Sequence, residues 1–355
     1  MSKKKMFDFC IGNPPYQEEQ ASIDANGSLK NYAPPVYNSF MDGANLVANN
    51  VELIHPARFL FNAGSTPRAW NEKMLNDEHF KVLGYEPDSN RIFPNLASPI
   101  KGGIAITYRS DSNIYGAIKV FTQFSEANTI SHKVSSYPQF RSLSEVVYSR
   151  TAYRLTDEMH HDYPEAITKL SNGHAYDMSS NIFERLPDIF YDIKPNDGHK
   201  YIRILGREGN KRIYKYIRRE YVNDVNNLDS YKVLVPQANG NGVFGEAICQ
   251  PLVEGPYTGN TETFISIGKF NIKEYAESAS KYIKTKFARM LLSLLKVTQN
   301  GNKPVWKMIP LQDFTSSSDI DWTKSIHEID LQLYKKYGLS KDEINFIETN
   351  VKEMS

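Results

Sequence analysis

Residues 7–16 read FDFCIGNPPY, and this stretch decides the fold expected for the N-terminal part of the 355-residue chain. Aromatic and β-branched side chains fill residues 7–12, which favours a strand. Residues 13–15, Asn-Pro-Pro, then end it, because proline has no N–H to continue strand pairing. The two prolines stiffen the turn and leave backbone carbonyls available to a ligand. The segment predicts a strand that ends in a rigid polar turn and the aromatic Tyr16, although Asn-Pro-Pro alone also fits an ordinary turn.

Short β-rich runs alternate with helical runs over about the first hundred residues, as in a parallel sheet with crossover helices. The same reading predicts further strands over residues 51–55, 80–86 and 103–108 and helices over residues 36–48 and 66–76. The second half reads as an α+β module. It predicts strands over residues 201–205, 231–235 and 263–267, one long amphipathic helix over residues 272–297, and two short helices over residues 326–337 and 341–352.

The composition is that of an ordinary globular protein, with 40% apolar and 23% charged residues. The 42 lysines and arginines balance 41 acidic residues, so any contact with nucleic acid must come from a local basic patch. Two cysteines, Cys10 and Cys249, exclude a disulfide framework or a thiolate zinc site. Neither a signal peptide nor an apolar run of about 20 residues is visible. We therefore expect a cytoplasmic protein without a membrane span.

Four segments together resemble the conserved motifs of Rossmann-fold amino-methyltransferases. Residues 7–16 resemble motif IV, and the helix PVYNSFM at residues 35–41 resembles motif V. Residues 51–60, VELIHPARFL, resemble motif VI, and residues 91–108, with RIFP and IKGGIAITY, resemble the motif VIII region. The chain thus resembles the adenine-specific DNA methyltransferases of restriction-modification systems, in the group typified by the Eco57I-like methylases.

This resemblance implies an α/β fold in three parts. Residues 1–145 would form a partial Rossmann-like methyltransferase sheet with strands 4 to 7, covering motifs IV to VIII. Residues 146–320 would form an α+β target-recognition domain that binds double-stranded DNA, and residues 321–355 a small helical C-terminal cap. The implied activity is adenine-N6 methylation of a specific DNA site.

The resemblance also assigns roles in a catalytic site. The residues of the polar turn suit these roles. The Asn13 side chain and the Pro14 carbonyl can accept hydrogen bonds from an exocyclic amino group, and Pro15 keeps the turn rigid. Tyr16 offers an aromatic face on which a flipped base would stack, and Phe93 would stack on its other side. Phe40 would contribute to the wall around the adenine of the cofactor, S-adenosylmethionine.

A local basic stripe follows residue 198, interleaved with tyrosines and suited to phosphate contacts. An ordinary solvated face is the competing interpretation. The predicted DNA-binding residues are Lys200, Arg203, Arg207, Lys211, Arg212, Lys215, Arg218 and Arg219.

The family's glycine-rich cofactor loop is not visible before Asn13. Residues 240–245, GNGVFG, spell G-x-G-x-x-G, but Pro251 soon stops any following helix, so we interpret them as a loop of the recognition domain. A sheet that begins at residue 7 would also expose Phe7, Phe9 and Ile11 along an edge strand. We therefore expect a cofactor-binding partner chain or self-association to complete the site.

Two interpretations of function follow. The first is an adenine-N6 DNA methyltransferase that needs a partner or an N-terminal part for S-adenosylmethionine binding, and the second is a non-catalytic DNA-binding specificity module derived from one. Methylation of a protein glutamine or of RNA is a weaker third possibility. No metal site is predicted, since the adjacent His160 and His161 would diverge by about 100° on a helix.

Overall fold

A computed structural model describes residues 5–17, 20–23, 29–32, 34–62, 65–94, 99–100, 102–209, 211–223 and 226–354, without the side chains of residues 20–23 and 29–32. Lys101, within the segment that resembles motif VIII, lies outside these ranges. The chain divides into two compact units, residues 1–132 and residues 133–355. The domain boundaries predicted from the sequence at residues 145 and 320 stay predictions.

The described part of the first unit contains the predicted strands and helices. Its strands are β1 (Phe7–Gly12), β2 (Gln20–Ile23), β3 (Leu29–Tyr32), β4 (Ala48–Pro56), β5 (Phe80–Glu86) and β6 (Ile104–Ser110). Its helices are α1 (Tyr37–Val47), α2 (Arg68–Leu75) and α3 (Ser89–Ile92), and α4 (Ser125–Ser135) spans the boundary between the units. A short 3₁₀ helix, Arg58–Phe61, follows β4.

Four of these strands form one sheet in the order β1-β4-β6-β5, and β2 pairs with β3 separately. Strand β1 is parallel to β4, whereas β6 is antiparallel to both of its neighbours. Strands β1, β4 and β5 therefore run in one direction and β6 runs against them. The expectation of a parallel sheet is wrong for β6. The connection from β5 to β6 contains one helical turn, α3, instead of a crossover helix, so β6 returns beside β5 as in a hairpin.

One face of this sheet packs against α1 and α2. His55 of β4 lies fully buried there, with its ring parallel to that of Tyr37 at a centroid distance of 5.7 Å. The His55 Nε2 atom lies 2.7 Å from the Thr107 hydroxyl. Burial lowers the pKa of His55 to about 4, so the ring is neutral at physiological pH. The Trp70 indole donates to Asp42 and ties α2 to α1. This face therefore holds the first unit's core and fixes α1 beside β1.

The alternate side chains of β1 lie on the opposite face. Phe7, Phe9 and Ile11 are 54%, 66% and 76% exposed, as the sequence predicts. Within the described ranges β1 hydrogen-bonds to β4 alone, so its other edge carries unpaired backbone groups. An exposed apolar edge strand of this kind is a template for pairing with another chain.

The second unit contains two small sheets, in the orders β10-β9-β14 and β13-β12-β15-β7, and a pair of short strands, β8 and β11. Its strands are β7 (Val147–Tyr148), β8 (Arg154–Leu155), β9 (Tyr201–Glu208), β10 (Lys211–Arg218), β11 (Val222–Asn223), β12 (Tyr231–Pro236), β13 (Leu252–Glu254), β14 (Thr258–Asn260) and β15 (Phe264–Phe270). Its helices are α5 (Asp157–Asp162), α6 (Ala166–Lys169), α7 (Ile182–Arg185), α8 (Lys273–Lys284), α9 (Lys286–Ser293), α10 (Ile326–Lys336) and α11 (Lys341–Asn350).

The single long helix predicted over residues 272–297 is wrong, because the helix is interrupted at Thr285. This residue is extended, with φ −58° and ψ 149°, and its hydroxyl accepts a hydrogen bond from the Ala288 N–H at the start of α9. The two helices that follow residue 325 are confirmed, and each begins with a serine capping box, at Ser325 and Ser340. Both of these helices pack against α9.

Asp330 gives the second unit a pH-dependent stability. Its carboxylate accepts hydrogen bonds from the N–H groups of Lys286 and Phe287 at the start of α9. Burial nevertheless raises its pKa from 3.8 to about 6. As the pH rises, the unfolded chain ionises this group first, so the free energy of unfolding falls between about pH 4 and pH 6.

We therefore expect the stability of the wild type relative to Asp330→Asn to fall by about 2 kcal/mol across this window. Urea titrations of both proteins at several pH values measure it. Taking the difference removes the contributions of other carboxylates. A difference that stays constant from pH 4 to pH 7 would contradict the raised pKa.

Candidate functional site

The Asn-Pro-Pro-Tyr turn begins where β1 ends, at Gly12. It is tied to the entrance of α1, because the Tyr16 carbonyl accepts from the Val36 N–H at 3.2 Å and Gln17 forms a β-bridge with Pro35. The turn lies at the carboxyl end of β1, on the side where the parallel β4 also ends. Ligands of open α/β sheets bind at this end of the strands.

An open cavity of about 510 Å³ lies beside this turn. Its walls come from β1, β4, the first two turns of α1 and the turn itself, and none of the residues that line it is charged. The lining residues are Cys10, Gly12, Asn13, Pro14, Pro15, Ser39, Phe40, Gly43, Ala44 and Leu53. The cavity therefore combines mostly apolar lining residues with the polar Asn-Pro-Pro turn, as in many small-molecule sites.

Tyr16 is half-buried at one side of the turn. Burial raises the pKa of its hydroxyl to about 12, an increase that the neighbouring Asn13 side chain partly offsets. The hydroxyl is buried and makes no hydrogen bond of normal geometry with a described residue. The phenol is therefore neutral at physiological pH, and its ring is the part of Tyr16 available for contact with a planar ligand.

Phe93 lies next to Tyr16, with 6.4 Å between the ring centroids and 62° between the ring planes. The structure thus brings together the two aromatic residues that the sequence places far apart. Their edge-on arrangement is not that of two rings with a base between them. Phe93 directly follows α3, and its side chain would have to rotate to open such a slot.

Phe40 lies on α1 and lines the cavity, and the residue is 49% exposed. Sequence reasoning missed Ser39, Gly43 and Ala44. Helical spacing could have identified Ala44, because it lies four residues after Phe40 and so shares the same face of α1.

Gly43 offers a direct test of the cavity. A Cβ atom added at this position has no neighbour within 4 Å, so an alanine methyl group fits there without a clash. We expect Gly43→Ala to stabilise the first unit by about 1 kcal/mol, since glycine is the poorer helix former. We expect Gly43→Phe to fold as well but to fill the cavity and abolish ligand binding there. Thermal unfolding and titration of S-adenosylmethionine into both variants separate the two effects, and undiminished binding to Gly43→Phe would place the ligand elsewhere.

The predicted basic stripe divides into two groups. Arg203, Lys215, Arg218 and Arg219 are held by internal contacts: Arg203 with Glu254, Lys215 with Glu208 and Asp192, Arg218 with Asp162 and Asp197, and Arg219 with the Val222 carbonyl. Lys200, Arg207, Lys211 and Arg212 are exposed at the surface. The residues of this second group are the more exposed, although the Arg203 side chain is also 43% exposed.

Arg207 and Arg212 face each other directly across the β9–β10 hairpin. Two like charges in opposite positions of an antiparallel pair repel each other. The Arg212 guanidinium lies over the Phe264 ring, 5.7 Å from its centroid. The two arginine side chains therefore lie on the same face of the hairpin, near its tip.

The G-x-G-x-x-G segment at residues 240–245 is occupied from within the chain. The Glu246 carboxylate accepts from the N–H groups of Asn241 and Gly242, at 2.7 and 2.9 Å, and pairs with the buried Lys296 at 2.6 Å. Burial opposes ionisation, but Lys296 and these N–H groups outweigh it and lower the pKa of Glu246. No helix begins there. The N–H groups that would cradle a phosphate are already used, in agreement with the interpretation as a structural loop.

His160 and His161 do not converge on one ligand. The His160 Nε2 atom lies 2.9 Å from the Ala175 carbonyl, and its ring contacts Tyr176 edge-on. Across the described ranges, no three His, Cys, Asp or Glu side chains come together to hold a metal ion. No helix in those ranges has the length and apolar character that crossing a bilayer requires.

Comparison with known proteins gives one family model that matches the N-terminal segment. Residues 1–93 match the model of the Eco57I restriction-modification methylase family. The resemblance inferred from the motifs is thereby confirmed over these residues. No curated protein matches the chain at a significant level.

Solved structures of restriction-modification enzymes are similar to the chain at low identity. The type IIG restriction endonuclease BpuSI matches 90% of this chain at 8% identity and a TM-score of 0.32. The type IIL restriction-modification enzyme MmeI, solved in complex with DNA, matches 97% of this chain at 8% identity and a TM-score of 0.31. The chain spans 48% of the BpuSI structure and 56% of the MmeI structure, about half of each.

Proposed function

We propose, from the match of residues 1–93 to the Eco57I restriction-modification methylase family, that this chain carries the catalytic-motif and target-recognition parts of a DNA methyltransferase that modifies adenine N6. One observation carries the proposal. The Asn-Pro-Pro-Tyr turn lies at the carboxyl end of β1, where it opens on a cavity of about 510 Å³ between β1 and α1.

The chemistry of this turn suits an amine nucleophile. The exocyclic amino group of adenine is weakly nucleophilic, so it needs orientation more than it needs a strong base. The Asn13 side-chain oxygen and the Pro14 carbonyl would each accept one N–H of this group and hold its lone pair toward the methyl donor. Pro15 keeps the two acceptors in place because its ring fixes the backbone angle φ.

The aromatic neighbours would hold the base itself. An adenine must leave the duplex before its amino group can reach such a turn, and flipped bases are held by stacking on aromatic side chains. Tyr16 would provide one face, and Phe93, after rotation from its edge-on position, would provide the other.

The cavity residues fit part of S-adenosylmethionine. Phe40 offers an exposed aromatic ring to the adenine, and the uncharged wall around Gly43 and Ala44 leaves room for it beside Asn13. None of the lining residues is a carboxylate that would bind ribose hydroxyls. When bound, the cofactor supplies an electrophilic methyl group, while this chain would provide the wall for its ring and the acceptors for the amine.

The contacts to S-adenosylmethionine that this cavity does not provide, such as a carboxylate for the ribose hydroxyls, are expected from a partner chain. The exposed Phe7, Phe9 and Ile11 and the unpaired edge of β1 form an apolar surface on the strand that ends in the catalytic turn. A second polypeptide, or a second copy of this chain, that adds a strand to this edge would place its own residues beside the cavity. Double-stranded DNA would bind the second unit, where Lys200, Arg207, Lys211 and Arg212 are exposed.

Titration of S-adenosylmethionine into the purified chain by calorimetry, with the oligomeric state recorded on the same sample, is the first test. Methyl transfer to duplex DNA is then measured with the labelled cofactor. Transfer to adenine N6 supports the proposal. Salt-sensitive DNA binding without transfer, alone or with any candidate partner, supports instead the non-catalytic specificity module.

A further inference from the structure

Tyr257 has a backbone conformation that is unusual for its side chain. It lies in the turn between β13 and β14 with φ 61°, in the left-handed region that a bulky residue rarely adopts. The preceding residue is Pro256. A proline followed by a residue of positive φ is typical of a type II turn, whose second central position usually carries glycine. The tyrosine is therefore strained, and strain of this kind concentrates at functional sites.

Hydrogen bonds hold Tyr257 in this conformation. Its N–H donates to the Leu228 carbonyl at 2.8 Å, and its carbonyl accepts from the Arg203 N–H at 2.9 Å. The fully buried Lys232 ammonium donates to the carbonyls of Leu228 and Thr258, at 3.2 and 2.8 Å. The surrounding chain thus fixes the strained turn through its backbone groups.

The Tyr257 side chain is not used in the same way. The residue is 57% exposed, although the next residue, Thr258, is 1% exposed. Its ring and hydroxyl make no hydrogen bond, ion pair or ring contact with a described residue. Internal contacts of this side chain therefore do not explain the strained backbone. An exposed aromatic ring on a fixed backbone is instead suited to contact with a ligand, because part of the ordering entropy is lost before binding.

Two of the basic residues predicted to bind DNA lie at the same end of this sheet. Strands β14 and β9 are parallel and pair Thr258 with Arg203, so the turn that carries Tyr257 lies beside the beginning of β9. The Arg203 side chain is 43% exposed, although Glu254 and Thr258 accept hydrogen bonds from it. Lys200, just before β9, is also exposed. An aromatic ring beside cations suits a ligand that combines phosphates with planar bases.

We propose that the Tyr257 ring stacks on a base of bound DNA, while Lys200 contacts a phosphate beside it. This inference rests on the proposed function and deepens it, because it names a contact by which the second unit holds its DNA substrate. Aromatic side chains stack on any base, since every base has a π-face. The ring therefore adds affinity without sequence preference, whereas the lysine contributes to the salt-dependent part.

Binding of the full chain to random-sequence duplex DNA tests the proposal. Tyr257→Gly removes the ring and relieves the backbone strain, so the urea midpoint of unfolding should not fall. We expect its affinity for DNA to fall about 10-fold, the size of one stacking contact. Tyr257→Phe keeps the ring and should bind like the wild type. The slope of log affinity against log salt concentration should stay unchanged in Tyr257→Gly and decrease by about 1 in Lys200→Ala.

The matched control is Gln139→Gly, at another exposed residue of the second unit with a positive φ, 66°. It relieves the same kind of strain without removing a ring, so its affinity for DNA should equal that of the wild type. If Tyr257→Gly does not fold, Tyr257→Asn takes its place, because asparagine tolerates the left-handed conformation.

Unchanged affinity in the variant without the ring overturns the inference and leaves the proposed function standing. If that variant instead loses self-association, the ring belongs to a protein contact, and the inference is again overturned. An equal loss of affinity in Gln139→Gly, or in Tyr257→Phe, also overturns it, because the cause would then be the backbone or the hydroxyl. Failure of the wild type to bind DNA at all defeats the proposed function together with the inference.

Discussion

Asn13→Ala is expected to reduce methyl transfer at least about 100-fold while the affinity for duplex DNA changes less than about twofold. Asn13 lines the cavity beside β1, whereas the exposed basic residues proposed for DNA contact all belong to the second unit. Loss of the amide therefore removes one of two acceptors for the reacting amine and leaves the phosphate contacts in place. Transfer of a labelled methyl group and DNA binding at a fixed salt concentration are the two measurements.

A separate readout keeps this prediction informative if the purified chain lacks turnover. Placing 2-aminopurine next to the target adenine, which keeps its own N6 amino group, gives a fluorescence increase when that adenine leaves the stack, and Asn13→Ala should reduce that increase. The matched control is Asn113→Ala, which removes an exposed amide elsewhere in the first unit. Equal loss of DNA binding and of transfer in Asn13→Ala would contradict the catalytic assignment.

Arg289→Met is expected to have the largest effect on stability. Arg289 is 1% exposed, and its guanidinium donates to the carbonyls of Lys284, Glu246 and Lys352. One side chain thus joins the end of α8, the glycine-rich loop and the residues after α11. Burial lowers its pKa to about 10, which leaves it charged at neutral pH.

The substitution would leave three buried carbonyls without a donor. We expect the unfolding free energy of the second unit to fall by about 3 kcal/mol or more. Urea denaturation followed by tryptophan fluorescence measures it. Arg141→Ala is the control, because Arg141 is 66% exposed and its pair with Glu145 at the surface should contribute little to stability. If Arg289→Met lowered the unfolding free energy as little as Arg141→Ala does, water molecules would be shown to replace the guanidinium as hydrogen-bond donors to these carbonyls.

The local elements were predictable because their signals lie within a few residues. Strand β1 ends at Gly12 as expected, since Asn13 and the two prolines cannot extend its pairing, and β5 matches its predicted limits. The candidate site was predictable for the same reason, because its turn is contiguous in sequence. Ser39 and Gly43 were missed because neither residue type indicates a ligand before a cavity is known.

The remaining differences come from contacts between distant residues. The apolar stripe continues through Thr285, so nothing in the local pattern shows that its hydroxyl caps a new helix there. In the sequence, the basic residues of β9 and β10 form a continuous stripe. In the structure, Arg203 of this stripe pairs with Glu254, a residue far along the chain. Charge counted along a sequence does not distinguish a binding surface from an internal ion pair.

The position of β6 has a consequence for biosynthesis. This strand lies between β4 and β5 in the sheet but follows both of them in the chain. Neither β4 nor β5 can therefore pair with β6 until residues 104–110 have been synthesised. Until then the apolar residues of β4 have no partner on that side, and such intermediates are prone to aggregation. A fragment that ends at residue 93, where the family match stops, would lack the strand that joins β5 to the sheet. Recombinant fragments of the first unit should therefore extend beyond residue 110.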